Sequence, residues 1–483
     1  MIRKKMFAGM LMGLAMLLSA GCGGKEAENG ADITPTTQAE PSADAAPSNP
    51  APSQAGDQED GDAKPTQEVG IPPVPTLTQA PVMTEAPTDG KEADERTQEE
   101  IYQDMIERSL LAEGNNYRIK KVLEKARNGE EVMLAYIGGS ITEGANASDA
   151  TCYVTKSYDG FVELTKEAGN VSFVNAGLGG TSSALGIMRY DRDIVEYTGK
   201  QPDIVFIEFS VNDWQEPTDG EAFESLIRRV YGAENEPAVV LVFAVFKSRW
   251  NMQTNYTPLG KLYRLPMVSI LDAVVPALDE EHTLDEDIFF SDIYHPTQYG
   301  HKIMADCLNY MFETLDAAEA DEPYVMPEKS WYGDTYENTA LIDSQRQDAV
   351  SELSAGGFTE TDGALGTYRY DRTLKTFPDN WMHAAGSGDE PFRMTLTCDG
   401  LLMAYKQSSD KKFGSVDVYV DGEFVMKVDG YSEGGWNNPV PVQIIKGRGQ
   451  QEHTVEIRMS EGSEDKAFSI LAFAAGLETD AAE

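Results

Sequence analysis

Short apolar runs with almost no polar interruption recur through the middle of the chain: VMLAYI (132–137), VSFVNA (171–176), DIVFIEF (203–209) and AVVLVFAVF (238–246). Between them, FVELTKEAG, ALGIMRYDRDIVEYTG and FESLIRRVYG place apolar residues at helical spacing. Runs without alternation fit strands covered on both faces, and strands alternating with helices require crossover connections. The pattern therefore predicts an α/β unit over 98–320, a parallel sheet with helices on both faces. Its first part, up to Glu130, is read as helix-rich, with Ile101, Met105, Leu110 and then Ile119, Val122 and Leu123 at helical spacing, ended by Gly129. Past a Pro- and Trp-bearing passage the period changes to two. RMTLTCDGLLMAYKQ, SVDVYVDGEFVMKV, HTVEIRM and FSILAFAAG are read as alternating, and Asp421-Gly422 is a hairpin signal. This predicts a second domain over 321–483, a β-sandwich of jelly-roll type patterned from Trp331 to Gly476.

The N-terminus has its own pattern. A basic start (Arg3, Lys4, Lys5) leads into an apolar stretch too short to cross a bilayer comfortably, ending in Leu-Ser-Ala-Gly-Cys. Residues 1–22 read as an export signal, and its end resembles the lipobox of bacterial lipoproteins, with Cys22 the residue to be lipidated. Residues 23–97 follow without an aromatic residue, rich in Pro, Ala, Thr and acidic side chains down to the boundary, and read as a disordered tether. A flexible chain of that length reaches on the order of 50 Å. The expectation is an extracytoplasmic body held to the cell membrane by a lipid at Cys22 but able to work away from it.

Charge narrows the function classes. The 483 residues carry 81 Asp plus Glu against 39 Lys plus Arg, a formal charge of −42, which opposes binding to a phosphate backbone. Cys152, Cys307 and Cys398 form no CxxC pair and are expected to be buried thiols. There is no HExxH, clustered-His or EF-hand pattern, so neither a metal nor any other cofactor is expected.

Candidate chemistry collects at the carboxyl ends of the strand-like runs, where α/β sheets place their sites. The first run ends on Gly138-Gly139-Ser140, the second leads into NAGLGGTSS, and the third ends in SVND with Asn212. Downstream, SDIYHP sets Asp292 and His295 three apart, close enough for the carboxylate to orient the imidazole. Taken together these supply a Ser nucleophile, a His base, an Asp orienter and oxyanion donors on one edge of one sheet. His301 is expected on a helix face or in the core, and His282, His383 and His453 lie outside the pattern. Trp214 and Tyr294 flank the site residues and are read either as pocket lining or as packing. Trp381 and Trp436 are read either as carbohydrate-binding or as core.

With these four blocks, GGS, NAGLGGTS, SVND and DIYH, residues 116–315 resemble the SGNH or GDSL-type hydrolases, in particular the GGSIT-bearing bacterial carbohydrate esterases. Gly139 and Ser210 stand where many members have Asp and Gly. The resemblance implies a flavodoxin-like three-layer fold and an ester hydrolase in which Ser140, His295 and Asp292 form the catalytic triad. It implies an oxyanion hole from the Ser140 and Gly180 backbone N–H groups and the Asn212 amide, with Gly179 the neighbour that could replace Gly180. The expected substrate is an acylated, most simply acetylated, polysaccharide. The alternatives are a lipase or lysophospholipase, an O-acyltransferase, and a noncatalytic glycan-binding lipoprotein.

Overall fold

A computed structural model describes residues 96–166, 169–366, 369–370 and 374–478. The export signal, Cys22 and the tether up to residue 95 lie outside the described residues. Thr97, assigned to the tether by composition, is instead the cap of the first helix. Its side chain accepts from the Glu100 N–H while the Glu100 carboxylate accepts from the Thr97 N–H.

Ten α-helices accompany the first sheet among the described residues: α1 (Gln98–Glu107), α2 (Tyr117–Arg127), α3 (Ser140–Glu143), α4 (Tyr153–Thr165), α5 (Ser183–Tyr190), α6 (Glu221–Tyr231), α7 (Gln253–Leu262), α8 (Ile270–Asp279), α9 (Glu286–Phe289) and α10 (Gln298–Ala317). Its strands are β1 (Leu110–Ala112), β2 (Val132–Gly138), β3 (Val171–Asn175), β4 (Ile204–Glu208), β5 (Ala238–Phe243) and β6 (Met267–Ser269), in the spatial order β1-β6-β5-β4-β2-β3. The pairs from β3 to β6 are all parallel. Those five strands, counted along the chain, run 2-1-3-4-5, the flavodoxin-like order. β2, β4 and β5 are buried along their whole length, as their uninterrupted apolar runs require. One face is covered by α1, α2, α4, α8 and α10. The other face is covered by α5, α6 and α7.

One expectation fails here. Leu110, read as helical, lies in β1, which pairs antiparallel with the edge strand β6. Helix α1 closes at Arg108, and the open edge of β6 recruits the next three residues.

The second domain contains ten strands: β7 (Thr339–Ile342), β8 (Val350–Ser354), β9 (Trp381–His383), β10 (Phe392–Cys398), β11 (Gly400–Ser408), β12 (Ser415–Val420), β13 (Glu423–Asp429), β14 (Trp436–Ile445), β15 (Gln451–Met459) and β16 (Phe468–Gly476). They form two antiparallel sheets, β13-β12-β15-β10-β8 and β14-β11-β16-β7, with β9 also on β16. Asp421 and Gly422 both take positive φ, +54° and +82°, as a two-residue type I′ hairpin demands. The run RMTLTCDGLLMAYKQ is two strands: β10 alternates buried and exposed residues, and after Asp399 the chain crosses to the other sheet as β11. β11 and β16 are buried on both faces. Leu401, Met403, Phe473 and Ala475 fill the sandwich, while Leu402, Ala404, Ala472 and Ala474 join the core around α5 and α6. The sandwich is thus seated on the α/β unit through one of its own sheets. β14, missed by pattern reading, carries Pro439 and Pro441, which an edge strand with a single partner tolerates.

Candidate active site

Ser140, His295 and Asp292 meet although 152 and 155 residues separate the serine from the other two. Strand β2 ends at Gly138, and Ser140 is the first residue of the short helix α3. Ser140 Oγ lies 2.9 Å from His295 Nε2, and His295 Nδ1 lies 3.0 Å and 3.1 Å from the two Asp292 oxygens. A carboxylate at Nδ1 fixes the proton there and leaves Nε2 to accept from the serine hydroxyl. The segment bearing both residues is itself pinned. Ser291 N–H donates to the His295 carbonyl at 2.9 Å, and Asp292 Oδ1 accepts from the Tyr294 and His295 N–H groups at 2.7 Å and 2.9 Å. Asn146, in a left-handed conformation at φ 64°, donates to Asp292 Oδ2 at 3.0 Å. Partial burial opposes ionisation, yet hydrogen bonds from His295 and Tyr294 hold the Asp292 carboxyl below the usual carboxylate range. Asp292 keeps 45% of its side chain exposed, so the centre is open to solvent.

Each residue expected to supply an oxyanion donor has a defined setting. The Ser140 N–H opens a helix and precedes any intrahelical acceptor. Gly180 is exposed, takes φ +69°, and its N–H has no acceptor among the described residues; Gly179 beside it is buried. The Asn212 amide packs on Gly139, where a Cβ would meet Oδ1 at 2.2 Å. That close approach explains why residue 139 is glycine. Ser210, the other departure from the family pattern, donates its buried hydroxyl to the Ala244 carbonyl at 3.3 Å and its carbonyl accepts from Met252 N–H at 2.8 Å.

Several residues that sequence reasoning passed over hold these groups. Asn175, at the end of β3, donates to the Thr142 carbonyl at 2.7 Å and accepts from the Gly177 N–H at 2.8 Å, tying the Gly180 loop to α3. Asp213, the last residue of the SVND block, is buried. It accepts from the Ser183 N–H and the Tyr256 hydroxyl, both at 2.8 Å. Beneath the serine turn, the fully buried Glu208 accepts from the Thr142 hydroxyl at 2.9 Å, and that hydroxyl also meets Tyr153 OH at 2.9 Å. Burial pushes the Glu208 carboxyl up to about 8 and Asp213 up to about 7. Glu208 gave no sequence signal beyond its place at the end of a buried strand, whereas Asp213 closes the SVND block.

The remaining candidates sort cleanly. His301 is buried on α10, accepting from the Tyr153 N–H through Nδ1 and bonded to the Ala145 carbonyl through Nε2, and burial lowers it to about 4. His282, His383 and His453 bond to Leu278, Lys466 and Asp421, away from the centre. Trp381 is core, packed edge-on against Phe392, which removes it as a ligand-binding candidate. Trp436 of the second domain instead reaches the loop bearing Gly180, 2.9 Å from where a Gly180 Cβ would stand. Tyr294 packs edge-on against Phe246, which tilts against the exposed Trp250, while Trp214 is 49% exposed. Cys152, Cys307 and Cys398 are free and buried, and burial raises all three thiols.

Residues 136–303 match the GDSL-like Lipase/Acylhydrolase family. No curated protein matches the chain. Among solved structures, a two-domain esterase active on acetylated mannans is 27% identical, with a TM-score of 0.66 over 77% of this chain and 99% of that one. The same esterase co-crystallised with mannopentaose gives 26% identity and a TM-score of 0.66 over 78% and 99%. A lipase/acylhydrolase from Enterococcus faecalis, 20% identical, covers 39% of this chain and all of its own length at a TM-score of 0.30. With the family match on its α/β unit and the likeness running through its sandwich as well, the chain carries a GDSL-like hydrolase domain and is a carboxylic ester hydrolase, similar to a two-domain carbohydrate esterase.

Proposed function

We propose that this protein is an exported, membrane-tethered serine esterase that removes acyl groups, acetyl foremost, from a polysaccharide. The observation that carries the reading is the 2.9 Å contact of Ser140 Oγ with His295 Nε2, continued to Asp292 on the far side of the ring. Ser140 attacks the ester carbonyl as its proton passes to His295. The resulting oxyanion is held by the Ser140 and Gly180 N–H groups and the Asn212 amide. His295 then returns the proton to the departing sugar hydroxyl, and the acyl group remains on Ser140. A water molecule, deprotonated by the same imidazole, attacks the acyl-enzyme and releases the carboxylate and a free Ser140.

The likeness to an esterase active on acetylated mannans, which extends over both domains, supports an acetylated glycan as substrate. An open centre with exposed Trp214 and Trp250 in its neighbourhood suits a polymer lying across the surface. The lipobox-like end at Cys22 and the acidic, proline-rich stretch after it support anchoring outside the cytoplasm. Ser140→Ala is expected to abolish acetate release from acetylated mannan and from an aryl acetate without loss of fold. Retention of activity in that variant overturns the mechanism. Cys22→Ala is expected to move the protein from the detergent phase to the aqueous phase on phase separation of cell extracts, and an unchanged distribution removes the anchor.

A further inference from the structure

Between β8 and β9 the second domain sends a long connection whose described residues reach the α/β unit. Tyr370 on this connection bonds the Asp149 carbonyl at 3.3 Å and packs against Phe173. The neighbouring Arg369 forms a backbone bridge with Leu178, inside the loop that carries Gly180. Its side chain is buried beneath, with Nη2 donating to Asp193 Oδ2 at 2.6 Å and Nε to Thr376 Oγ1 at 3.0 Å. Asp193, wholly buried just after α5, also accepts from Arg192 Nε at 2.7 Å and Arg189 Nη1 at 3.2 Å. Arg189, equally buried, donates through Nη2 to the Gly138 carbonyl at 3.1 Å and through Nη1 to the Ala176 carbonyl. Gly138 stands two residues before Ser140, and Ala176 stands four before Gly180.

Ionised groups taken out of water are costly unless each is paired and held. Here burial opposes ionisation of Asp193, and the Arg192, Arg369 and Arg189 guanidiniums overcome it, holding the carboxyl far below its usual range. None of these groups has a part in the proton transfers, yet the chain of contacts ends on the main chain of both catalytic loops. Backbone donors work only when fixed close to the position the oxyanion will occupy.

We propose that Arg369 is a positioning residue for the esterase centre, resting on the Ser140 reading above: through Asp193 and Arg189 it fixes the turn before Ser140 and the loop bearing Gly180. The second domain is thereby part of the catalytic apparatus even for an ester too small to touch it. Because Asp193 keeps two guanidiniums when Arg369 is replaced, Arg369→Met leaves no unpaired buried carboxylate.

The test is steady-state hydrolysis of an aryl acetate by the full chain. Arg369→Met is expected to lower kcat about 10-fold or more with KM within about twofold of wild type, and Arg369→Lys is expected to recover part of the loss. Thr376→Val, which removes only the hydroxyl holding Arg369 Nε, is expected to show the same split at smaller amplitude and decides the matter should Arg369→Met not fold. Folded variants that keep kcat within twofold, or that raise KM with kcat unchanged, overturn the proposal. Ser140→Ala run alongside separates the two failures: residual activity in it condemns the triad, whereas an inactive Ser140→Ala beside unchanged Arg369 and Thr376 variants condemns the positioning role alone.

Discussion

At the scale of single residues, the site sets the part-exposed Ser140–His295–Asp292 hydrogen-bond chain beside buried carboxyls that lie outside it. Asn212 contributes an amide expected to meet only the oxyanion, so Asn212→Ala should cost about 10²- to 10³-fold in kcat with little change in KM, measured on an aryl acetate. Glu208 behaves differently. Its folded pKa, about 8, is raised by burial above the ordinary 4.5, so the folded state holds a proton that the unfolded state releases. The stability this contributes is fully present below about pH 4.5 and is lost as pH rises through about 8. Asp213, raised from 3.8 to about 7, loses stability in the same direction. Glu208→Gln should therefore melt near wild type at pH 5 and increasingly above it from pH 7 to 9. Thermal melts across that range check the sign, and a gain that shrinks with rising pH contradicts it. Ser140, Asp292, His295 and Asn212 were legible in the sequence because each falls in a short block whose residue types the chemistry demands. Glu208, Asp193 and Arg189 were not, because a buried charge looks like any surface charge until its partner, often far along the chain, is known.

At the scale of elements, the same contrast holds. The buried strands of the first sheet were readable because burial on both faces leaves a continuous apolar run, and β12 and β13 because Asp421-Gly422 permits only a tight turn. β1 was not readable, since three residues on a sheet edge have no period to show. β11 was misjoined to β10 because the change from alternating to continuous burial at Asp399 marks a change of sheet, which spacing alone does not reveal. The turn between β2 and α3 carries its own prediction. Gly139 has an ordinary φ of −86°, so what it supplies is room: Asn212 Oδ1 occupies the place of a side chain, 2.2 Å from a Cβ. Gly139→Ala should displace the Asn212 amide and lower kcat by roughly the amount that loss of one oxyanion donor costs, about 10²-fold. A crystal structure of the variant with Asn212 unmoved, or an unchanged kcat, contradicts this.

At the scale of the whole molecule, the two units share a core, with Leu402, Ala404, Ala472 and Ala474 of the sandwich packed in the same cluster as Ala184, Leu185 and other residues of α5 and α6. The described residues should therefore melt in one cooperative transition by calorimetry. A chain ended after residue 321 would expose the apolar side of α5, and it is expected to self-associate on size exclusion instead of running as a soluble esterase. Two separated transitions, or a well-behaved truncated enzyme, would contradict a shared core. A sheet whose central strands are buried on both faces also constrains how such a chain can change over time. The sandwich cannot be exchanged for another module by cutting at the connection, because its inner and outer surfaces are both tailored to partners. Any successful transplant must carry the matching side of α5 with it, so the two units are expected to drift in sequence as a single inheritance and not as separable parts.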